Sequence, residues 1–498
     1  MKSYIAEGIK KLLVSNSRCA RNTQVYDFKA LLVIIAIINS YTVYLTLLSP
    51  KLNPELHWIA IVTFLINGSF FLIQLATISP LGFSLREIYY LFMVIFMFVA
   101  PLIQYISGQF PWWDTHLLTN ERIIYTNTLI LLFAVLFELT YTKTKGHART
   151  FVGKIFQKEI KHHRLYISWM LIVSALYFVY VFRKASSIVL LFSRGTYGKV
   201  FTEVSQPVML ILDITLAGIS VNLLAYVIAT AKKRSSSSNR TLLALSSLLV
   251  ILLNFPTGRA RFWTGAVYLG IFLAWKRVIK TKNAFKIIFI TSFIILFPLL
   301  NLFRTQAINV VLGSNIKPPT FLETITTGDF DAYSMLVRTI AIVHEKGPTN
   351  GRQLLGNLLF FVPRSMWQNK PVGSGHEIAQ RLGWSFTNVA CPLVGEAYIN
   401  FGIFGIPLFA IVLGYVTKKL DSVYYGSVVH FSCNVRAIEL LYPFYIGFLF
   451  FILRGDLLSS LSYTIGFSIP VFTEVLLESI LSSKLLGRSA ITWRKDAY

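Results

Sequence analysis

Charge is what this chain has least of. Only 14% of its 498 residues are Asp, Glu, Lys or Arg, whereas 55% are apolar. A soluble domain of this size needs a more charged surface, so the composition argues against one. Cysteine is scarce too. Cys19, Cys391 and Cys433 are too few and too scattered for a disulfide framework or a zinc site. Strict apolar–polar alternation, the mark of a barrel strand, is missing as well. What is present instead is a series of continuous Leu/Ile/Phe/Val runs of roughly 20 residues, enough to cross a hydrocarbon core of about 30 Å as helices. In lipid each backbone N–H and C=O needs an internal partner, so such runs imply an all-α polytopic membrane protein. The net charge of +25 does not gather in one soluble module and so does not indicate nucleic acid. It punctuates the apolar blocks, as cytoplasmic membrane loops do.

The blocks predict about 12 spans, near 30–48, 57–78, 88–105, 123–140, 165–181, 207–229, 241–255, 262–275, 287–303, 396–416, 437–453 and 460–477. The first follows a basic leader, is too long for a typical signal-peptide core and lacks a small-residue cleavage site, which reads as a retained anchor. Lys and Arg concentrate in alternate loops, including 143–164, 232–234 and 276–286. By the positive-inside rule these face the cytoplasm, as do both termini. Only Cys391 then faces outward, leaving it without a disulfide partner. The layout divides into 1–303 (nine spans with short loops), 304–395 (a large outer loop) and 396–498 (three spans and a cytoplasmic tail). The loop is too long to be structureless. It reads as a helical subdomain, with helices expected over 331–346 (stopped by Gly347-Pro348), 351–362 and 376–382.

Basic residues on the side where topology disfavours them suggest a bound anion. Arg194 lies in the loop after the fifth span, Arg259 and Arg261 in the tight turn Asn254-Phe-Pro-Thr-Gly-Arg-Ala-Arg261, Arg304 directly after the ninth span, and Arg454 after the eleventh. Arginine's planar fork suits phosphate or pyrophosphate, although snorkelling side chains or lipid headgroup contacts would also explain it. Glu138, Asp213 and Glu474 fall inside spans, where pairing with a neighbouring span is the plainer reading and a proton or ion path the sharper one. Asp329-Phe-Asp331 has metal-motif spacing, but it precedes a helix and reads better as a cap. No metal and no other cofactor is expected. The stretch Phe360–Gly375 offers Arg364 and Lys370 for anions and Trp367 for stacking on sugars. A carboxylate at a membrane boundary makes Glu396, which opens the tenth span, a general-base candidate. His376 is the second.

At these motifs the chain resembles the Wzy family of O-antigen and oligosaccharide repeat-unit polymerases. Four segments carry the resemblance: Thr257-Gly-Arg-Ala-Arg261, Gly328-Asp-Phe-Asp-Ala-Tyr333, Val362-Pro-Arg-Ser-Met-Trp-Gln-Asn-Lys-Pro371 and Gly395-Glu-Ala-Tyr-Ile-Asn-Phe-Gly402. It is strongest over 254–416. Arg364 to Gly375 fits the Arg-x10-Gly pattern of some members, whereas Lys184 takes the arginine position of the other such loop. The resemblance implies a metal-independent glycosyltransferase in the cell inner membrane, serving lipopolysaccharide biosynthesis. Its substrates would be undecaprenyl-pyrophosphate-linked oligosaccharides, and a chain-length regulator is an expected partner. Arg259, Arg261, Arg304 and Arg364, with Arg194 behind them, would stabilise the leaving pyrophosphate. Glu396 or His376 would take the acceptor proton, and Trp367, Lys370 and Trp384 would hold glycan. An O-antigen ligase, or a lipid-linked glycan flippase or transporter, is the alternative.

Overall fold

The computed structural model describes residues 55–79, 82–145, 151–161, 163–185, 207–233, 239–276, 281–302, 321–429 and 434–495, together with Phe192 and Ile279. The expected span at 30–48, Arg194 and Arg304 lie outside these residues.

The described chain is mostly helical. Among the described residues eight helices are long and apolar enough to cross a membrane: Trp58–Thr77, Leu85–Ser107, Asn120–Lys143, His163–Lys184, Ile211–Ala231, Leu393–Val428, Ala437–Arg454 and Leu457–Ile480. Each coincides with an expected span. The stretches expected at 241–255, 262–275 and 287–303 are also helical, as Asn239–Leu253, Arg261–Lys276 and Ala284–Leu302, but shorter in their apolar extent.

Two spans are not the plain helices that hydropathy suggests. Leu85–Ser107 carries a π-turn at Ile95–Val99, where Ala100 N–H donates to the Ile95 carbonyl five residues back. Pro101 follows immediately, and a proline cannot donate to the carbonyl four residues before it. The expected span 396–416 is in fact two helices, Leu393–Phe401 and Gly405–Val429, joined by the 3-10 turn Gly402–Phe404. Gly402 has φ +57°, which favours glycine. Hydropathy registers apolar content and is blind to such a break.

Contacts sort the loops into two ends of the bundle. At one end Asn120 Nδ2 donates to the Glu55 carbonyl, Gln104 Nε2 to the Ile325 carbonyl, and Arg454 to Asp331. At the other, Gly82 N–H donates to the Ile279 carbonyl, Lys419 to the Lys145 carbonyl, and Glu159–Ile160 pairs antiparallel with Val435–Arg436. These are the two loop sets that alternating spans would produce. The carboxylates within spans are partnered: Glu138 accepts from Arg86 at 2.7 and 3.0 Å, Asp213 from Arg259 at 2.6 Å, and Glu474 from Trp169 Nε1 at 3.3 Å.

The segment expected as an outer subdomain does hold helices, at Ala332–Lys346, Arg352–Leu358 and Ser374–Arg381. The first is not a peripheral element. All residues from Ala332 to Val343 are buried, because it packs between Leu393–Phe401 and the Asn120–Lys143 span. The segment is inserted into the end of the bundle.

Candidate functional site

The chemistry gathers around the turn Arg454-Gly455-Asp456, between the last two long helices. Asp456 caps the helix that begins at Leu457. Its Oδ1 accepts from Ser459 N–H at 3.3 Å, while its Oδ2 accepts from Gly375 N–H at 3.0 Å. Burial raises the Asp456 carboxyl pKa above the ordinary aspartate range. Backbone N–H groups of Gly375, Ser459 and Leu458, and the nearby His376, pull the other way. Asp456 is still partly exposed. Sequence reasoning missed it, since a lone Asp opening a helix looks like an ordinary cap.

Glu396 lies directly behind. It is fully buried, and both carboxylate oxygens are occupied: Oε1 accepts from Leu457 N–H at 3.0 Å, and Oε2 from the Ser374 hydroxyl at 2.7 Å and Asn357 Nδ2 at 3.4 Å. The carboxylate thus ties Leu393–Phe401, Arg352–Leu358, Ser374–Arg381 and the last helix together. Of the acid–base candidates, Glu396 is the interior one and Asp456 the reachable one. His376 is partly exposed beside Asp456.

Gly375 makes this convergence possible. A Cβ there would sit 2.2 Å from the Val389 carbonyl oxygen, a backbone atom that cannot swing aside. Gly375→Ala is therefore expected to cost roughly 1–3 kcal/mol through forced backbone shifts, read as a lower midpoint of thermal unfolding in detergent. An unchanged midpoint would mean the 373–389 segment relaxes freely.

The arginines divide by partner. Arg261 makes a bidentate pair with Asp329, at 2.6 and 2.9 Å, and Arg454 reaches Asp331 at 2.9 Å and the carbonyls of Gly328 and Asp329. Asp331 Oδ2 also accepts from Trp112 Nε1 and Ala390 N–H. The capping expectation for Asp329-Phe-Asp331 is thus corrected. Asp331 sits at the N-cap of Ala332–Lys346 but with helical φ and ψ, and its carboxylate does not bond that helix. Both of its oxygens are taken instead by Arg454, Trp112 and Ala390, which leaves none for the helix's own N–H groups. Burial raises the Asp331 pKa, with Arg454 opposing. Arg259 is held by Asp213 at 2.6 Å and the Leu253 carbonyl at 3.1 Å.

Arg364 is exposed, with one N–H on the Lys370 carbonyl at 2.9 Å. Lys370 points inward, its ammonium donating to the carbonyls of Phe360 and Val362 at 2.6 and 2.9 Å. Burial, with Arg364 adding to it, lowers its pKa. It pins the loop that carries Arg364. Trp367 is partly exposed on that loop. Trp384 stands apart from these groups, donating to Asp114 at 2.5 Å. Cys391 is buried and unpaired. Among the described residues no cluster of three His, Cys, Asp or Glu could hold a metal.

No family model, curated protein or solved structure matches this chain.

Proposed function

We propose that the chain is a membrane glycosyltransferase that polymerises undecaprenyl-pyrophosphate-linked oligosaccharide repeat units at the outer face of the cytoplasmic membrane. The observation that carries this reading is the Arg454–Asp456 turn. It places a partly exposed carboxylate of raised pKa at the end of the bundle, with His376 beside it and exposed Arg364 on the loop leading into Gly373–Gly375. Of the Wzy-like segments, Gly395–Gly402 supplies Glu396 itself, and Val362–Pro371 ends three residues before Ser374, whose hydroxyl donates to that carboxylate.

The step transfers one glycan. The acceptor's non-reducing-end hydroxyl attacks the anomeric carbon of the donor, its proton passes to Asp456, a new glycosidic bond forms, and the bond from that carbon to the pyrophosphate oxygen breaks. Charge develops on the departing lipid pyrophosphate. Fixed guanidinium groups stabilise it where water is limited. We assign that role first to Arg364, which donates to a backbone carbonyl, whereas Arg259 and Arg261 are already bound to Asp213 and Asp329. Glu396 acts through Asp456, holding Leu457 N–H and Ser374 so that the turn keeps its shape.

Purified protein in lipid nanodiscs, given the lipid-linked repeat unit alone, is expected to yield a ladder of polymer on the carrier. Arg364→Ala is expected to slow it by about 10²-fold or more. Transfer only when lipid A core is added would identify a ligase instead. No glycosidic bond under either condition would remove the enzymatic reading.

A further inference from the structure

A recess opens on the same end of the bundle as the Asp456 turn. Its volume is about 500 Å³, and Asp114, His116, Arg122, Glu345, Lys346 and Arg381 are among its lining residues. We infer that this recess, with the half-exposed Trp113 beside it, is a glycan subsite that holds sugar rings of the lipid-linked repeat unit away from the reacting carbon. The inference rests on the glycosyltransferase reading but names a site that the transfer step does not use.

The loop that forms one wall is held in a conformation its residues would not choose. Trp112 and Asp114 both lie at positive φ, +69° and +55°. Such strain in non-glycine residues persists only where the surroundings over-determine it. Here they do. Trp112 Nε1 donates to Asp331 at 2.8 Å, and Trp384 Nε1 donates to Asp114. Beneath the loop, Arg338 is fully buried and donates to the carbonyls of Pro111 and Trp113. Its Nε and Nη1 have no partner, and its guanidinium lies over the Trp384 ring at 5.4 Å. Burial pushes its pKa down to about 10, with Asp114 and Asp331 opposing. Leaving two buried N–H-bearing nitrogens unsatisfied is costly. What this buried arginine holds in place is the backbone on either side of Trp112, through the Pro111 and Trp113 carbonyls.

The result is an exposed indole with polar groups of both kinds close by. Trp113 is 54% exposed and meets Trp384 edge-on at 5.5 Å. An indole face takes the C–H face of a pyranose, while Asp114 and Glu345 accept from sugar hydroxyls and Arg122 and Lys346 donate to ring and hydroxyl oxygens. A single-sign anion site would lack the two carboxylates, and a lipid groove would lack the ionised lining.

The test uses full-length protein in nanodiscs and the free repeat unit, released from the cell's own lipid carrier by mild acid. Binding is read by quenching of tryptophan fluorescence. The wild type is expected to bind, and His116→Ala with Glu345→Ala to weaken binding about tenfold while raising KM for the lipid-linked substrate and leaving kcat near wild type. Trp113→Ala, followed by calorimetry, is expected to weaken binding similarly, and Asp456→Asn to bind as wild type. The inference is overturned if the wild type does not bind the free unit, or if the recess variants bind and polymerise unchanged. Lost binding in the recess variants of a protein that makes no polymer would uphold the subsite and sink the transferase reading alone.

Discussion

Asp456→Asn is expected to slow polymerisation by roughly 10²–10⁴-fold, the usual contribution of a positioned general base, with little change in folded yield. The amide keeps a carbonyl oxygen to accept either Gly375 N–H or Ser459 N–H, so much of the cap survives. What disappears is the acceptor for the sugar's proton. The pH dependence separates this from a structural effect. Burial raises the Asp456 pKa, so the active carboxylate is lost, as pH falls, at milder acidity than an ordinary aspartate near 3.9 would require. Wild-type kcat/KM should therefore fall on an acid limb displaced upward, and residual activity of Asp456→Asn should lack that limb. A variant running at wild-type rate, or one retaining the limb, would move the base elsewhere, with His376 next to examine.

How much of this was legible in the sequence depends on whether the signal is local. Apolar run length placed eight long helices, because backbone satisfaction in lipid leaves few other choices. The stop at Gly347-Pro348 was readable for a similar reason: Gly347 takes φ +75° at the end of Ala332–Lys346. Glu396 stood out because a carboxylate opening an apolar helix is conspicuous in one dimension. Its burial was not readable. That follows from Asn357, Ser374 and Leu457, lying 39, 22 and 61 residues away.

Asp456 was missed for the converse reason. Its local role, capping a helix, is real and conceals its contact with Gly375, 81 residues distant. Asp329 and Asp331 failed differently. Local rules gave them to the following helix, and tertiary partners took them instead. Arg261 is 68 residues from Asp329, and Arg454 is 123 from Asp331, so no spacing rule would pair them. Arg338 offered no signal at all, since one arginine among the small and apolar residues of an amphipathic helix reads as a solvated position.

The second large effect concerns stability. Asp329→Ala is expected to cost about 3–5 kcal/mol, because it removes the bidentate partner of a largely buried guanidinium. Arg261 and Asp329 are only 14% and 5% exposed, and their fork is bidentate. Arg261→Ala should cost a comparable amount by removing the fork from a buried carboxylate. The double variant should then recover part of the loss, with a coupling of roughly 0.5–3 kcal/mol, in thermal unfolding of the detergent-solubilised protein. Arg261→Lys distinguishes anchoring from pyrophosphate binding: lysine keeps the charge against Asp329 but loses the fork. If the pair only ties Gly328–Asp331 to the bundle, Arg261→Lys should lose some stability and polymerise normally once folded. If Arg261 turns to the leaving pyrophosphate, kcat should drop in folded Arg261→Lys protein, and Asp329→Asn should not reproduce that drop. Additive single effects, with no coupling, would mean the fork contributes little and that Arg454 with Asp331 holds the segment without it.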